Sequence, residues 1–378
     1  MTRITGHHIL AGILTWSIML KICVGQEDEK NSTADYDYAK ETNVSFDYSG
    51  FEVMCSKEGY RQFQQWFIPT FYAIICFVGL VGNLLVILTY FYFNRLKTMT
   101  DVYLLNLSFA DLFFVLSLPF WAFNSMREWV LGLAVCKIIY SVYKVTFYSS
   151  MFLLSSISVD RYFAISKAVS AHKHRSQAVF FSKISSAVMW VLAFIFSIPE
   201  MKFTTINNNT CTPYASTNDK LRVSLQASQI VLTFLLPLIV MSFCYISIIW
   251  TLSRTRGFER NKAIKVILAV VAVFLSCQMP YNIVLFWTTL VTAKGGSTVC
   301  DDDNTLYYAK YITQSLAFFR CCLNPIVYAF LGVKFRNDVL KLLKHFGCLS
   351  QERFFRYAFS KRKGSLATDT ETSTTFSP

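Results

Sequence analysis

Apolar positions in this chain gather into long unbroken runs rather than short periodic stripes. Seven of them occupy roughly 67–93, 102–124, 134–160, 179–200, 225–252, 264–291 and 306–331. Each is long enough for a helix to cross ~30 Å of hydrocarbon, which takes ~20 residues. Inside lipid the helix also satisfies its own backbone polar groups. No internal repeat and no inverted symmetry relates the two halves. The pattern predicts an all-α membrane protein, a seven-transmembrane helix bundle over 67–331. Beyond it, "VKFRNDVLKLLKHFGCL" alternates apolar and basic positions. This predicts an amphipathic eighth helix on the inner membrane face, 332–347, with Cys348 a lipidation candidate.

A shorter run opens the chain. Arg3 precedes an apolar core from Ile9 to Leu20, and the small Gly25 follows. This reads as a signal peptide over 1–25. The alternative is a further transmembrane helix, but the core is shorter than a span needs. With the leader removed, residues 26–66 form an outer N-terminus and 348–378 a cytoplasmic tail.

Composition agrees with a membrane setting. Hydrophobic residues make up 54% and charged residues 16%, against about 25% charged in soluble domains. The net charge of +13 could suggest nucleic acid, but its placement argues otherwise. Basic residues crowd the connections 94–101, 161–178 and 253–263 and the segment after 331, while the alternate connections are poorer in them. That bias sets the inner face and attracts anionic lipid, so membrane lipid is the partner and no nucleic acid is needed. The segment Gln26–Trp66 has the opposite sign, with nine acids against four bases. It reads as a polar leader, disordered when free. Sequons place glycosylation at Asn31, Asn43 and Asn208, whereas the one at Asn106 falls inside a span.

Several residues stand out within the spans. Asp111 in "LLNLSFADLFF" is an acid deep in apolar sequence. Buried, it needs a partner or a cation, with Asn83 or Asn324 as structural candidates. In "CLNPIVYAF", Pro325 bends the last span, Asn324 can meet the polar groups that the proline frees, and Tyr328 sits one turn further in. Pro237 and Pro280 bend the fifth and sixth spans, with Gln278 beside the second bend. Asp160 and Arg161 sit side by side at the inner edge of the third run; taken alone, they could be a membrane-edge anchor with Arg161 snorkelling to lipid. Four cysteines lie on the outer side, Cys55 in the N-terminus, Cys136 at the top of the third span, and Cys211 and Cys300 in outer loops, and four allow three pairings. No enzyme motif is present and no motif asks for a cofactor or metal.

In order along the chain, "GLVGN", "LSFAD", "DRY", a lone Trp190 in the fourth run, three helix prolines and "NPIVY" resemble the rhodopsin-like (class A) G-protein-coupled receptors. "SLPFWA", "AFFRCCLNP" and the acidic, tyrosine-bearing N-terminus are similar to the chemokine receptors of the C-C group. The resemblance covers essentially the whole chain. It implies two outer bridges, Cys136–Cys211 and Cys55–Cys300. It implies a ligand cavity faced by Tyr72, Trp121, Tyr143, Lys144, Tyr281 and Gln314, with Tyr36, Tyr38 and Tyr48 as sulfatable ligand-capturing tyrosines. Activation is expected to involve Asp111, Tyr245 and Tyr328 and an inner ionic latch of Asp160, Arg161 and Tyr162, with Gln278, Pro280, Arg320, Asn324 and Pro325 around the bends.

Three positions depart from the family pattern. Gln314 stands where many relatives carry Glu, and Gln278 where most class A receptors carry Trp. Arg320 stands where a neutral or imidazole side chain is usual. Class A receptors often hold sodium on the acid at the Asp111 position, and Arg320 is expected to supply the cation instead.

The resemblance implies C-C chemokine ligands of the lymphoid homing kind, an inhibitory-class G protein, calcium mobilisation and chemotaxis of immune cells. Arrestin and receptor kinases would act at Ser365, Thr368, Thr370, Thr372, Ser373, Thr374, Thr375 and Ser377. The alternatives are a chemokine-scavenging decoy without G-protein signalling and, from another class, a multi-span transporter. An intact Asp160-Arg161-Tyr162 disfavours the decoy.

Overall fold

The computed structural model describes residues 58–93, 96–166, 175–214, 217–253, 258–295, 300–331, 333–345 and 347. Helix α1 spans Glu58–Tyr92, α2 Met99–Met126, α3 Gly132–Ser166 and α4 Arg175–Phe203. A two-stranded hairpin follows, β1 Thr204–Asn207 and β2 Thr210–Pro213, antiparallel with Ile206 opposite Cys211. Helix α5 runs from Asp219–Ile230 through a π-turn, Val231–Leu235, into Leu236–Ser253. Then come α6 Phe258–Ala293, α7 Cys300–Leu331 and α8 Val333–His345.

The seven long helices coincide with the seven apolar runs and overshoot them. Helix α1 begins at Glu58, nine residues before its apolar run, because a helix in water keeps its hydrogen bonds without apolar side chains. Phe63 and Tyr308, ring centroids 5.1 Å apart, hold this extension against α7. Five helices, α1, α2, α4, α5 and α6, are each long and apolar enough to cross a membrane by themselves. Helices α3 and α7 carry Lys144, Ser149, Ser150, Arg320 and Asn324 in the interior instead.

Polarity is inverted relative to a soluble core. Asn83, Asp111 and Gln278 are fully buried, while Phe77, Ile239, Phe243 and Trp287 stay more than half exposed. This distribution suits a bundle whose outside is solvated by lipid, where interior polar groups bond one another. Many interior hydroxyls are absorbed locally: Ser149, Ser156 and Ser158 each donate to the carbonyl four residues back.

Small residues set the helix spacing in "GLVGN". A Cβ added at Gly79 would lie 2.8 Å from Val115 Cγ2, and one at Gly82 would lie 3.0 Å from Pro325 Cγ. These glycines let α1 approach α2 and α7 closely. Trp190 of α4 donates its indole N–H to Asn106 of α2 at 3.2 Å, which fixes Asn106 inside the bundle. The bend expected at Pro237 takes the form of the π-turn directly before it. Helix α8 packs Phe335 against Val86, Ile87 and Tyr90 of α1 and Leu105 of α2.

Candidate functional site

The outer half of the bundle carries an aromatic cluster with a charged pair beside it. The Trp121 indole stands edge-on to Tyr140 at 4.3 Å and to Tyr143 at 5.5 Å. Tyr143 and Tyr72 both pack on Phe318, each at 5.6 Å. Lys144 Nζ lies 2.9 Å from Glu200 Oε1 and donates to Gln229 Oε1 at 2.7 Å. Gln229 Nε2 in turn reaches Tyr281 Oη at 3.4 Å. Of the residues expected to face a ligand, Tyr72, Tyr143, Lys144 and Tyr281 are buried here, and Trp121 and Gln314 are half-buried.

Glu200, Tyr214, Gln229 and Tyr140 escaped the sequence reading. An acid following Pro199 at the end of an apolar run looks like an ordinary interfacial residue, and no local signal turns it inward. Lys144, an isolated base in the sequence, is paired in the fold.

The hairpin closes this region from outside. Its turn residues Asn208 and Asn209 take positive φ of 46° and 53°, as a two-residue hairpin loop requires. Asn208 is exposed at that turn. A disulfide joins Cys211 of β2 to Cys136 of α3, with Cα atoms 5.8 Å apart. Asn124 of α2 brackets Cys211, donating to its carbonyl at 3.2 Å and accepting from its N–H at 3.0 Å. Past the hairpin, Tyr214 turns back at φ 60° and donates its hydroxyl to Glu200 Oε1 at 2.5 Å. Burial and the neighbouring Glu200 charge push the Tyr214 phenol upward, so it stays a donor.

At mid-depth lies Asp111. Its oxygens accept from Asn324 Nδ2 at 2.6 Å and Ser150 Oγ at 3.1 Å, and Arg320 Nη2 stands 3.7 Å away. Two donors and a guanidinium aimed at one carboxylate do not fit a sodium ion, which needs oxygen ligands and no adjacent cation. Asn324, expected to meet the groups freed by Pro325, is thus committed to Asp111. The carbonyl that Pro325 leaves unpaired, four residues back at Cys321, is taken by Asn83 Nδ2 of α1 at 3.2 Å. Gln278 Nε2 ties α6 to the Ala317 carbonyl of α7 at 3.3 Å.

At the inner end Asp160 accepts a hydrogen bond from Thr100 of α2. Arg161 is exposed, and among the described residues no ion pair joins it to Asp160. Consecutive helical residues point about 100° apart, so one carboxylate can turn to α2 while the next side chain points away. In this structure Asp160 is therefore bonded to Thr100 and not to Arg161. The Tyr245 and Ser158 hydroxyls are hydrogen-bonded at 3.0 Å, and the Tyr162 ring lies 6.0 Å from Phe243.

Several expected positions lie outside the described residues: Tyr36, Tyr38, Tyr48, Asn31, Asn43, Cys55, Cys348 and the tail sites from Ser365 to Ser377. The side chains of Cys300 and Tyr328 do as well, although both residues fall in α7.

Residues 82–328 match the 7 transmembrane receptor (rhodopsin family). Over 369 residues, 96% of each chain, the protein is 47% identical to C-C chemokine receptor type 7 of Homo sapiens. It is 39% identical to C-C chemokine receptor type 9 of Homo sapiens over 340 residues, 87% of this chain and 92% of that one. With C-C chemokine receptor type 6 of Homo sapiens the identity is 40% over 325 residues, 84% and 87% of the two chains. The chain accordingly belongs to the rhodopsin-like seven-transmembrane receptors and, within them, to the chemokine receptors: a multi-pass receptor of the plasma membrane rather than a catalyst.

Proposed function

We propose that this receptor binds C-C chemokines of the lymphoid homing kind, couples them to an inhibitory-class G protein and so drives calcium release and cell migration. The observation that carries the reading is the cluster of aromatic and charged side chains in the outer half of the bundle. Together with a buried lysine–glutamate pair and a disulfide-tied hairpin, this region includes the Trp121 indole N–H and Glu200 Oε2 as buried polar atoms without a hydrogen-bond partner. An extended peptide terminus offers a carbonyl to the first and a cation to the second. The relatives' names point to C-C chemokines, which in this family are small and basic, and the acidic Gln26–Trp66 segment would steer such ligands. Sulfation of Tyr36, Tyr38 and Tyr48 would add to that attraction.

Ligand binding then shifts an equilibrium between bundle arrangements. The sixth span moves at its Pro280 bend, and Arg161 meets the G protein. Phosphates on Ser365, Thr368 and the later tail residues recruit arrestin, and Cys348 anchors the end of α8 when acylated. A panel of C-C chemokines tested on transfected cells for calcium flux and migration decides this. Dose-dependent responses to at least one member support it. Uptake without a signal favours the decoy, and silence across the panel overturns the reading.

A further inference from the structure

Two cations at the outer end of the bundle lack a counter-charge. Arg222 lies in the first turns of α5 and Lys310 in the first three turns of α7, both half-buried. Their helices fix where they sit. Ile230 of α5 and Ala317 of α7 pack into one apolar cluster with Tyr281 and Leu285 of α6. Arg222, Gln226 and Ile230 fall on one stripe of α5, and Lys310, Gln314 and Ala317 on one stripe of α7. At 1.5 Å per residue, both stripes rise about 10–12 Å outward from the shared cluster. The two cations therefore arrive at the same level. Gln226, one turn below Arg222, accepts from Thr289 of α6 at 3.3 Å, which holds this stripe inward. Lys310 lies within electrostatic reach of both Arg222 and Lys144. Of these three bases Lys144 is matched, by Glu200 at 2.9 Å. Arg222 and Lys310 have no acid within ion-pair distance among the described residues. Asp219, three residues before Arg222, is exposed and makes no ion pair with it. Two like charges held together in partly excluded solvent repel, and an anion placed between them relieves both.

We propose that Arg222 and Lys310 together receive a carboxylate of the ligand, an acidic side chain in the peptide end that enters the bundle. This rests on the reading of the protein as a chemokine receptor. The guanidinium is a planar fork that takes a carboxylate on both oxygens, and the ammonium adds a donor from the other helix. Both cations are half-buried rather than sealed, so a guest can reach them from outside. The pair also selects among ligands that are basic overall. An entering end without an acid meets two unmatched cations and is repelled, whereas one with an acid is held in register between α5 and α7. The same chemistry gives the ligand a differential hold on the bundle. Bringing α5 toward α7 costs repulsion without the acid and gains attraction with it.

The test is a cycle between ligand and receptor. The probe is the most potent agonist of the C-C chemokine panel, made as it is and with every Asp and Glu ahead of its paired cysteines changed to Asn and Gln. The receptors are wild type, Arg222→Gln/Lys310→Gln, and Asp301→Asn/Asp302→Asn/Asp303→Asn, which removes the acids that open α7. All are compared in calcium flux at equal surface expression. On wild type, neutralising the ligand should lower potency about tenfold, the worth of one charge-assisted hydrogen bond. On Arg222→Gln/Lys310→Gln, or on the two single variants if the double one fails to reach the surface, it should cost less than about threefold. A merely structural pair would weaken both ligand forms alike. The same penalty on the variants as on wild type, or no penalty on wild type, overturns the assignment and leaves the chemokine reading intact. A penalty that emerges only in the Asp301–Asp303 variant also overturns it, and gives the two cations to the receptor's own acids. No response of wild type to any panel member overturns the chemokine reading, and this one with it.

Discussion

Removing the Arg320 charge should convert a sodium-indifferent receptor into a sodium-sensitive one. Arg320 Nη2 lies 3.7 Å from Asp111 Oδ1, and both side chains are buried. At an effective dielectric of about 20, that separation is worth about 4 kcal/mol. Orphaning one member of a buried pair costs a similar amount, about 3–5 kcal/mol. In Arg320→Asn the carboxylate keeps Asn324 and Ser150 as neutral donors but loses its cation. Sodium at ten times its dissociation constant would restore about 1.4 kcal/mol. The assay is agonist affinity and detergent thermostability, measured with sodium chloride replaced by choline chloride at fixed ionic strength. Wild type should give the same values in both salts. Arg320→Asn should be less stable in choline, partly recover in sodium, and bind agonist more weakly when sodium is present. A clear fall in wild-type agonist affinity on adding sodium would refute the reasoning, since the guanidinium would then not occupy the role of the ion.

Thr100→Val removes the donor that holds Asp160 to α2. The bond is partly solvated, so its loss is worth about 1 kcal/mol, and basal signalling should rise up to about fivefold at equal expression. Unchanged basal signalling in both Thr100→Val and Asp160→Asn would return the pair to the role of membrane-edge anchor. Gly79→Val places a branched side chain against Val115, and the overpacking costs about 1–3 kcal/mol; surface expression and thermal midpoint should both drop. Cys211→Ser releases β2 from α3 at a cost of about 2–4 kcal/mol. Ligand binding should fall in saturation assays more than expression does, because the hairpin loses its tether to α3.

Much of the fold is legible in the sequence because lipid imposes one rule on every residue of a span. A run of ~20 apolar residues has to be a helix, so counting runs counts helices. The prolines, the "GLVGN" glycines and the inner-face basic residues likewise act locally or through the membrane normal. The polar interior was legible only in part. Asp111 announces a buried partner by its chemistry, and Arg320 was found by its unusual position. Yet the Cys321 carbonyl that Pro325 frees is served by Asn83 from 238 residues away in sequence, not by Asn324. Asp160 turns to Thr100 rather than to the adjacent Arg161.

By itself the sequence determined which segments span the bilayer, which face each connection occupies and which side chains cannot be left alone in hydrocarbon. Those are consequences of transfer free energies, which belong to residues one at a time. The tertiary structure alone decided the pairings. Lys144, Glu200, Tyr214 and Gln229 come from α3, α4, the segment after β2 and α5, and they meet because helix rotation and crossing aim their side chains at one point. Hydrogen bonds act over about 3 Å, whereas residue spacing along separate helices says nothing about distance across the bundle. The open oxygen on Glu200 is therefore a property of the packed helices and of no local stretch of chain.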